Sequence, residues 1–414
     1  MDEYYGVMSN RRKTTKVQRV EQHNLKRGSP FYKFVDEYCF KSKNLYNFAN
    51  YIIRQEFINN KNWIHYNELF TLVKDSDPYK DIGSNTGQGT LRILDKNWKS
   101  FFVAIKDYSK NPEKYYARPK LPKYLNKDGR FVLSLDSNKV KLKDGYVYFA
   151  WKPFKRFNHM FRTNAKDRIL QCRFIPKPNH YVMEIVYEIE VPDCVTESSN
   201  IAAIDLGVDN FITMVNNIGL QPIVVKGGVI KTINQFYNKK KAELQSELKK
   251  VNKLDWSDRL QRLTDKRYEM IKYQMHCISK KVIDYCALNG IDTLIVGRNK
   301  NWKQENQGMQ NFTYIPYEMF IKMLAYKCQN VGIKFVYTEE CYTSGTSFLD
   351  GELPIKDNYD KSRRVYRGLF ISNNGKSINA DVNGAYQIMK KVIPNAFSNG
   401  IEGAGSHPIA ISVA

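Results

Sequence analysis

Ile201-Ala202-Ala203-Ile204-Asp205-Leu206-Gly207-Val208-Asp209-Asn210-Phe211-Ile212-Thr213 is the stretch from which the fold is read. Its first four residues, small or branched and apolar, predict a short buried strand, which delivers the carboxylate of Asp205 at its end and is followed by a turn-making Gly207. An unpaired acid at the mouth of an apolar strand is costly, and a divalent cation taking oxygen ligands offsets that cost. The chain then doubles back through Phe211 to Val215, which puts Asp205 on the first strand of a hairpin sheet. An aspartate that merely caps the turn is the competing reading, and this stretch alone does not separate the two. The weight comes from the far end of the chain. There Asn379-Ala380-Asp381-Val382-Asn383-Gly384-Ala385 opens a helix with a second acid, Asp381, near its first turn.

The chain has 414 residues, enough for two or three domains, and 42% of them are hydrophobic. Lys and Arg number 65 against 42 Asp and Glu, a net charge of +23 that exceeds what solubility requires and points to a polyanionic partner. A membrane is not expected as that partner, because no apolar run approaches the roughly 18 residues a span needs and no segment reads as a basic amphipathic anchor. The opening MDEYYGVMSNRRKTTK lacks the apolar core of a secretory signal. Seven scattered cysteines form no CxxC pair and read as reduced thiols of a cytoplasmic protein, with no disulfide framework.

Residues 10 to 29 are basic, with Arg11, Arg12 and Lys13 at their head, and read either as a solvated arm or as a strand along a nucleic-acid backbone. From Phe31 to Ile58 apolar residues recur at helical spacing, and Leu91, Leu94, Trp98, Phe101, Phe102 and Ile105 form one continuous helical stripe. Residues 30–112 are therefore expected to form a small helical lobe. Two prolines then make Arg118-Pro119-Lys120-Leu121-Pro122-Lys123-Tyr124 a rigid, extended basic strap. A hairpin is predicted around Asp144-Gly145, and a second across Pro176 to Asn179, so that 113–195 reads as a small all-β unit, plausibly a barrel. Its outward Lys and Tyr residues suit either backbone contact and base stacking or plain solvation.

From residue 196 strands and helices alternate. A third strand is expected near 222–226, two long polar helices at about 231–252 and 257–288, and a buried strand from Asp292 that ends at Gly297. A helix over 316–331 leads into the strand KFVYTEE, residues 334–340. An irregular stretch, 345–378, precedes the Asp381 helix, and the Gly-containing tail after Asn395 is expected to be disordered.

The order IDLGVDNF, a strand ending near 297, EECYTSGTSFLD and NADVNGAYQIMKK resembles the RuvC-type nuclease of the TnpB family, the transposon-encoded RNA-guided nucleases related to miniature type V CRISPR effectors. The segments FKSKNLYNFANYIIRQEF, LDKNWKSFF and RPKLPKY resemble that family's N-terminal half. The resemblance implies a ribonuclease H-like (RuvC) α/β nuclease domain over 196–342 and 379–394, with a target-loading insertion at 343–378. It implies a β-barrel wedge domain over 10–29 and 113–195, and a helical recognition lobe over 30–112. Its implied partners are a guide RNA and target DNA, with one or two protein copies per guide. Its implied chemistry is phosphodiester hydrolysis with two magnesium ions held by an acid triad. A nuclease-inactive RNA-guided DNA-binding protein, such as a repressor, is the alternative. A guide-free DNA-binding protein and a transposase proper fit less well, the first for want of a helix-turn-helix or zinc-finger signature.

Two departures from the family pattern matter. The family usually has a glutamate where Gly297 ends its strand, and it usually carries four zinc-binding cysteines between the YTS string and the last acid, whereas residues 343–380 hold none. No zinc is therefore expected, and Arg363, Arg364 and Arg367 become candidates for nucleic-acid contact beside Arg118, Lys120 and Lys123 of the strap and Arg11, Arg12 and Lys13. In a ribonuclease H topology the Gly297 strand neighbours the Asp205 strand, and KFVYTEE lies beyond it. A glutamate at the outer strand's end could then reach across the roughly 4.8 Å between neighbours. Relatives called Fanzor are understood to use such a relocated acid, which implies the triad Asp205, Glu340 and Asp381. Alternation along the strand points Glu339 the other way.

Overall fold

The computed structural model describes residues 14–194, 197–252, 254–298, 314–397 and 407–411. The chain divides into two compact units, 16–190 and, with Thr14 and Thr15 joined to it, 191–414. Among the described residues no helix is long and apolar enough to cross a membrane.

The first unit opens with β1 (Thr14–Lys26), α1 (Pro30–Asn60), α2 (Tyr66–Val73), α3 (Asp77–Ile82) and α4 (Ser84–Tyr108). It continues with β2 (Leu133–Asp136), β3 (Val140–Lys143), β4 (Tyr146–Phe149), β5 (Ile169–Pro176) and β6 (His180–Pro192). Four strands form one sheet in the order β1-β6-β5-β2, and β3 and β4 pair as a separate hairpin. Asp144 and Gly145 both take positive φ, 51° and 76°, as a tight two-residue hairpin turn requires. Among the described residues the strands do not close into the expected barrel; the ladder stops at β1 and β2.

The basic segment becomes strand from Thr14 onward, although Leu25 is its one deeply buried residue. Backbone pairing with β6, which side-chain periodicity cannot report, holds it in place. Arg11, Arg12 and Lys13 lie outside the described residues. The helical and β parts share one core. The cause is Phe31, at the start of α1, whose ring centroid lies 4.8 Å from Phe154, 4.4 Å from Phe157 and 5.5 Å from Phe174. The helical stripe buries Leu91, Leu94 and Trp98, and the Trp98 indole donates to Asn50 Oδ1 at 3.0 Å.

The proline strap is extended and lies along one face of α1. Asn47 donates to Leu125 O at 2.9 Å, Asn50 to Pro122 O at 3.1 Å and Arg54 to the same carbonyl at 2.8 Å. Spacings of three and four put those three side chains on one helical stripe. Carbonyls left without strand partners by the prolines are thereby satisfied, while Arg118, Lys120 and Lys123 stay exposed.

The second unit holds β7 (Ile201–Leu206), β8 (Asn210–Asn216), β9 (Ile223–Lys226), α5 (Gly228–Asn252), α6 (Asp258–Leu288) and β10 (Thr293–Arg298). After these come α7 (Tyr317–Val331), β11 (Lys334–Glu339), β12 (Leu369–Ile371), β13 (Ser377–Asn379), α8 (Ala380–Val392) and β14 (Ile409–Ile411). Six strands form one sheet in the order β11-β10-β7-β8-β9-β14. β7, β8 and β9 run as an antiparallel meander, and β10 and β11 are added parallel beyond β7. The order expected of the Asp205, Gly297 and KFVYTEE strands is thus observed.

One part of the tail, expected to be disordered, is instead a strand: Ile409 to Ile411 pairs in parallel with Ile223 to Val225. Three apolar residues with two β-branched ends suffice there because the unpaired edge of β9 supplies the backbone partners.

The two faces of this sheet explain where the acids point. Ile201, Ala203, Val215 and Ile295 pack with Ala385, Ile388 and Met389 of α8. Ala202, Ile204, Leu206, Leu294 and Val296 pack on the opposite side with Met275 and Ile278 of α6 and with Phe320 and Leu324 of α7. Side chains alternate along a strand, so Asp205, Gly297 and Thr213 all belong to the α8 face.

Candidate active site

Asp205 follows four buried residues of β7, Ile201 to Ile204, and pairs with Thr213 across the hairpin. A Cβ on Gly207 would stand 2.4 Å from Asn210 O, so the turn after the acid needs glycine for its close approach. The hydroxyl of Tyr317 donates to Gly207 O at 2.9 Å and pins that turn from α7.

Asp381 sits in the first turn of α8, where Asn379 caps the helix by accepting from the backbone N–H groups of Asp381 at 3.0 Å and Val382 at 3.2 Å. Its carboxylate accepts from Asn210 Nδ2 at 2.7 Å and from the Arg364 guanidinium at 3.0 Å. One turn further, a Cβ on Gly384 would lie 3.0 Å from Asp205 Oδ2. Glycine therefore lets the helix settle directly against the Asp205 carboxylate. Asn383 anchors the preceding loop, accepting from Phe348 N at 2.9 Å and donating to Thr346 O at 2.8 Å.

Glu340 extends the β11 ladder by one step, its N–H donating to Arg298 O at 3.2 Å. Val336 packs with the α8-side core and Phe335 with the opposite one, so parity sends Glu340 to the α8 side and Glu339 to the other. The Glu340 side chain lies over Gly297: a Cβ there would stand 2.6 Å from Glu340 Oε1, 2.8 Å from its Cγ and 2.5 Å from Ile388 Cδ1. Space that a side chain at 297 would occupy is filled from the neighbouring strand.

The electrostatics agree with three acids in one place. Burial, then the charges of Glu340 and Asp381, push the Asp205 carboxyl well above its ordinary range, and Arg364 opposes them. Burial raises Glu340 to about 7. Burial and the charges of Glu340 and Asp205 also push the Tyr317 hydroxyl upward. Two oxygens on this face, Glu340 Oε1 and Thr213 Oγ1, are out of solvent and lack a hydrogen-bond partner. Buried orphans of this kind call for a further ligand, and hard oxygen donors suit a divalent cation. The acids do not yet form a closed cage: among the described residues no three His, Cys, Asp or Glu side chains are gathered as a metal site. Asp381 is meanwhile engaged by Arg364 and Asn210.

The arginines expected to meet nucleic acid have different surroundings. Arg363 is a correction: its side chain is 10% exposed and pairs with Glu352 at 2.7 and 2.9 Å, while also donating to Gly345 O and Asn358 O, each at 2.8 Å. Both terminal nitrogens of its fork are used inside the 343–378 insertion, so the cation cross-links separate segments of that loop. Arg363→Ala should lower stability by about 3 kcal/mol, the scale for one partner lost from a buried pair. Limited proteolysis should then cut first within 343–378; unchanged melting and digestion would contradict the cross-link. Arg364 faces Asp381, and Arg367, 73% exposed, pairs with Asp209, which Lys231 also contacts. Tyr317, Asn210 and Thr213 were given no site role by the sequence, since contacts between distant elements leave no local pattern.

With this geometry in place, comparison with known proteins is informative. Residues 184–303 match the family model OrfB_IS605, described as a probable transposase, and residues 317–388 match the Cas12f1-like TNB domain. A TnpB-like protein, ORF457, of Acidianus two-tailed virus is 23% identical over 395 residues, covering 85% of this chain and 82% of that protein. The CRISPR-associated endodeoxyribonuclease Cas12f2 of a Micrarchaeota archaeon is 24% identical over 332 residues, which cover 74% of this chain and 55% of that longer protein. The structure of a Cas12f1-sgRNA-target DNA complex resembles the chain with a TM-score of 0.54 at 13% identity, covering 86% of this chain and 82% of that one. That last likeness is one of fold, a Cas12-like mixture of helices and sheets. Two family matches that follow one another from residue 184 to residue 388, joined to a TnpB-like relative aligned over most of the chain, make this protein similar to the TnpB family along most of its length.

Proposed function

We propose that this protein is an RNA-guided DNA endonuclease with a relocated acid triad, Asp205, Glu340 and Asp381, on a ribonuclease H-type sheet. The observation that carries the proposal is the carboxylate of Glu340 lying over Gly297 on the face that Asp205 shares. A purely structural glutamate has no reason to hold a carboxylate oxygen out of solvent, without a hydrogen-bond partner and among like charges.

The three carboxylates and Thr213 would hold magnesium, which supplies, when bound, an activated water and charge compensation for a leaving 3′ oxygen. β7 and α8 hold Asp205 between them, and β11 presents Glu340 from the flank. Asp381, on the first turn of α8, would join them as a ligand, and the Arg364 guanidinium beside it would face a phosphate. Guide pairing would select the target, and the protein would grip backbone through exposed cations such as those of the strap. The insertion 343–378, cross-linked by Arg363 and lacking cysteine, would function without zinc.

The test begins with the purified protein. Its copurifying RNA is sequenced, and matched DNA is supplied with and without magnesium. Guided, magnesium-dependent cutting is expected, together with no stoichiometric zinc by elemental analysis. RNA-directed binding without cutting would instead establish the repressor reading, and absence of bound RNA would remove both.

Magnesium should also stabilise the fold in a pH-dependent way. Glu340 binds its proton more tightly folded than unfolded, so its contribution to stability is full below pH about 4.5 and is lost as pH rises through about 7. The loss is on the order of 3 kcal/mol. Without divalent ions the protein should thus lose stability between pH 5 and pH 8, and magnesium should raise the melting temperature more at pH 8. Equal magnesium effects at both pH values would exclude these carboxylates as its site.

A further inference from the structure

We propose a second nucleic-acid site in unit 16–190: a pocket that takes the base of an unpaired nucleotide, with the flanking phosphates held at its rim. It rests on the reading of this chain as a nucleic-acid-binding protein, not on cleavage. The pocket lies where α1, α4 and the strap meet and has a volume of about 670 Å³, within the ~300–1,000 Å³ typical of ligand sites. Phe57, Phe101 and Phe102 line it. They belong to one aromatic cluster, with Phe57 and Phe102 centroids 5.5 Å apart and Phe101 and Phe102 5.2 Å apart. All three remain half-exposed, although Trp98 beneath them is fully buried.

The rim decides the occupant. Arg118, Lys120 and Lys123 project from the strap, Arg54 and Lys61 join them from α1 and its end, and no lining residue is acidic. Arg54 is steadied by its bond to Pro122 O at 2.8 Å, and the strap backbone that carries Arg118, Lys120 and Lys123 is fixed to α1. Five cations around three aromatic rings complement a chain that carries flat π faces and phosphates together. A duplex offers the phosphates but hides its base faces in the stack. An acidic peptide offers charge without flat faces. An unpaired nucleotide offers both, ribose or deoxyribose alike.

The experiment uses the full-length protein stripped of copurified nucleic acid, with short oligouridylate, oligothymidylate, a DNA duplex of equal length and a polyglutamate peptide as probes. Affinity is read by anisotropy across a salt series, and base stacking by quenching of Trp98 and Trp63, the latter ring 4.7 Å from Phe102. Phe101→Leu keeps apolar bulk and removes the ring. It should weaken binding of a single strand about tenfold, reduce the quench and leave both the salt slope and duplex affinity nearly unchanged. The surface double variant Lys120→Ala with Lys123→Ala should instead lower the single-strand salt slope by roughly 1.4. The single strand, RNA or DNA, that loses more with Phe101→Leu is the one the pocket holds. Equal loss for the duplex, tight binding of polyglutamate, or wild-type affinity in a folded Phe101→Leu protein would each overturn the site. A wild-type chain that bound no nucleic-acid probe would remove the nucleic-acid reading itself.

Discussion

Glu340→Ala is expected to reduce guided DNA cleavage by about a thousandfold or more while leaving binding of RNA and target nearly intact, whereas Glu339→Ala should retain much of the activity. The magnitude is that of a group acting on transition-state charge in a water-poor site. The contrast between adjacent residues rests on strand parity. Val336 and Glu340 share the α8 face with Asp205 and Gly297, and Phe335 packs on the opposite core. Removal of Glu340 also relieves like-charge crowding of Asp205, so the variant should be at least as stable as the wild type without divalent ions. A gain or retention of stability with loss of turnover distinguishes a metal ligand from a packing residue. Wild-type cutting by Glu340→Ala would end the relocation idea, and equal losses from both variants would point to a disturbed β11 instead.

Much of this site was legible because it is written in short-range patterns. Four apolar residues before Asp205 read as a strand and are one, and its alternation assigns the acid to a face. The parity that separates Glu340 from Glu339 is equally local, and Asp381 follows a capping asparagine that any helix start would use. What could not be read are the contacts between distant segments. Arg363 looks like its neighbours Arg364 and Arg367 in sequence, yet it alone is turned inward, because its partner Glu352 arrives from eleven residues upstream. The merger of helical and β parts follows from a few rings around Phe31, which periodicity reports only as core. β1 and β14 exist by virtue of a partner's open edge, and their own residues carry little of the signal. Patterning tells which face a side chain takes; it does not tell what waits on that face.

Gly297 is where that distinction can be turned into a second large effect. Any side chain at 297 must compete with Glu340, since a Cβ would enter within 2.6 Å of its carboxylate oxygen and 2.5 Å of Ile388. Gly297→Ala should therefore displace the carboxylate and lower cleavage about a hundredfold or more, at a stability cost of about 1–3 kcal/mol for overpacking. Ile388→Val in the same protein should recover stability, because it removes the methyl group in contact, but should not recover activity while the carboxylate remains displaced. The decisive variant carries Gly297→Glu and Glu340→Ala together. It returns the acid to the middle strand and empties the space above it, so a folded double variant should cut measurably faster than Glu340→Ala alone. Gly297→Glu by itself should be inactive, having two carboxylates in the volume of one. If Gly297→Ala cut at the wild-type rate, or if the folded exchange variant were no better than Glu340→Ala, the two positions would not share a single role. Their contact would then be packing alone, and a different acid would have to complete the site with Asp205 and Asp381.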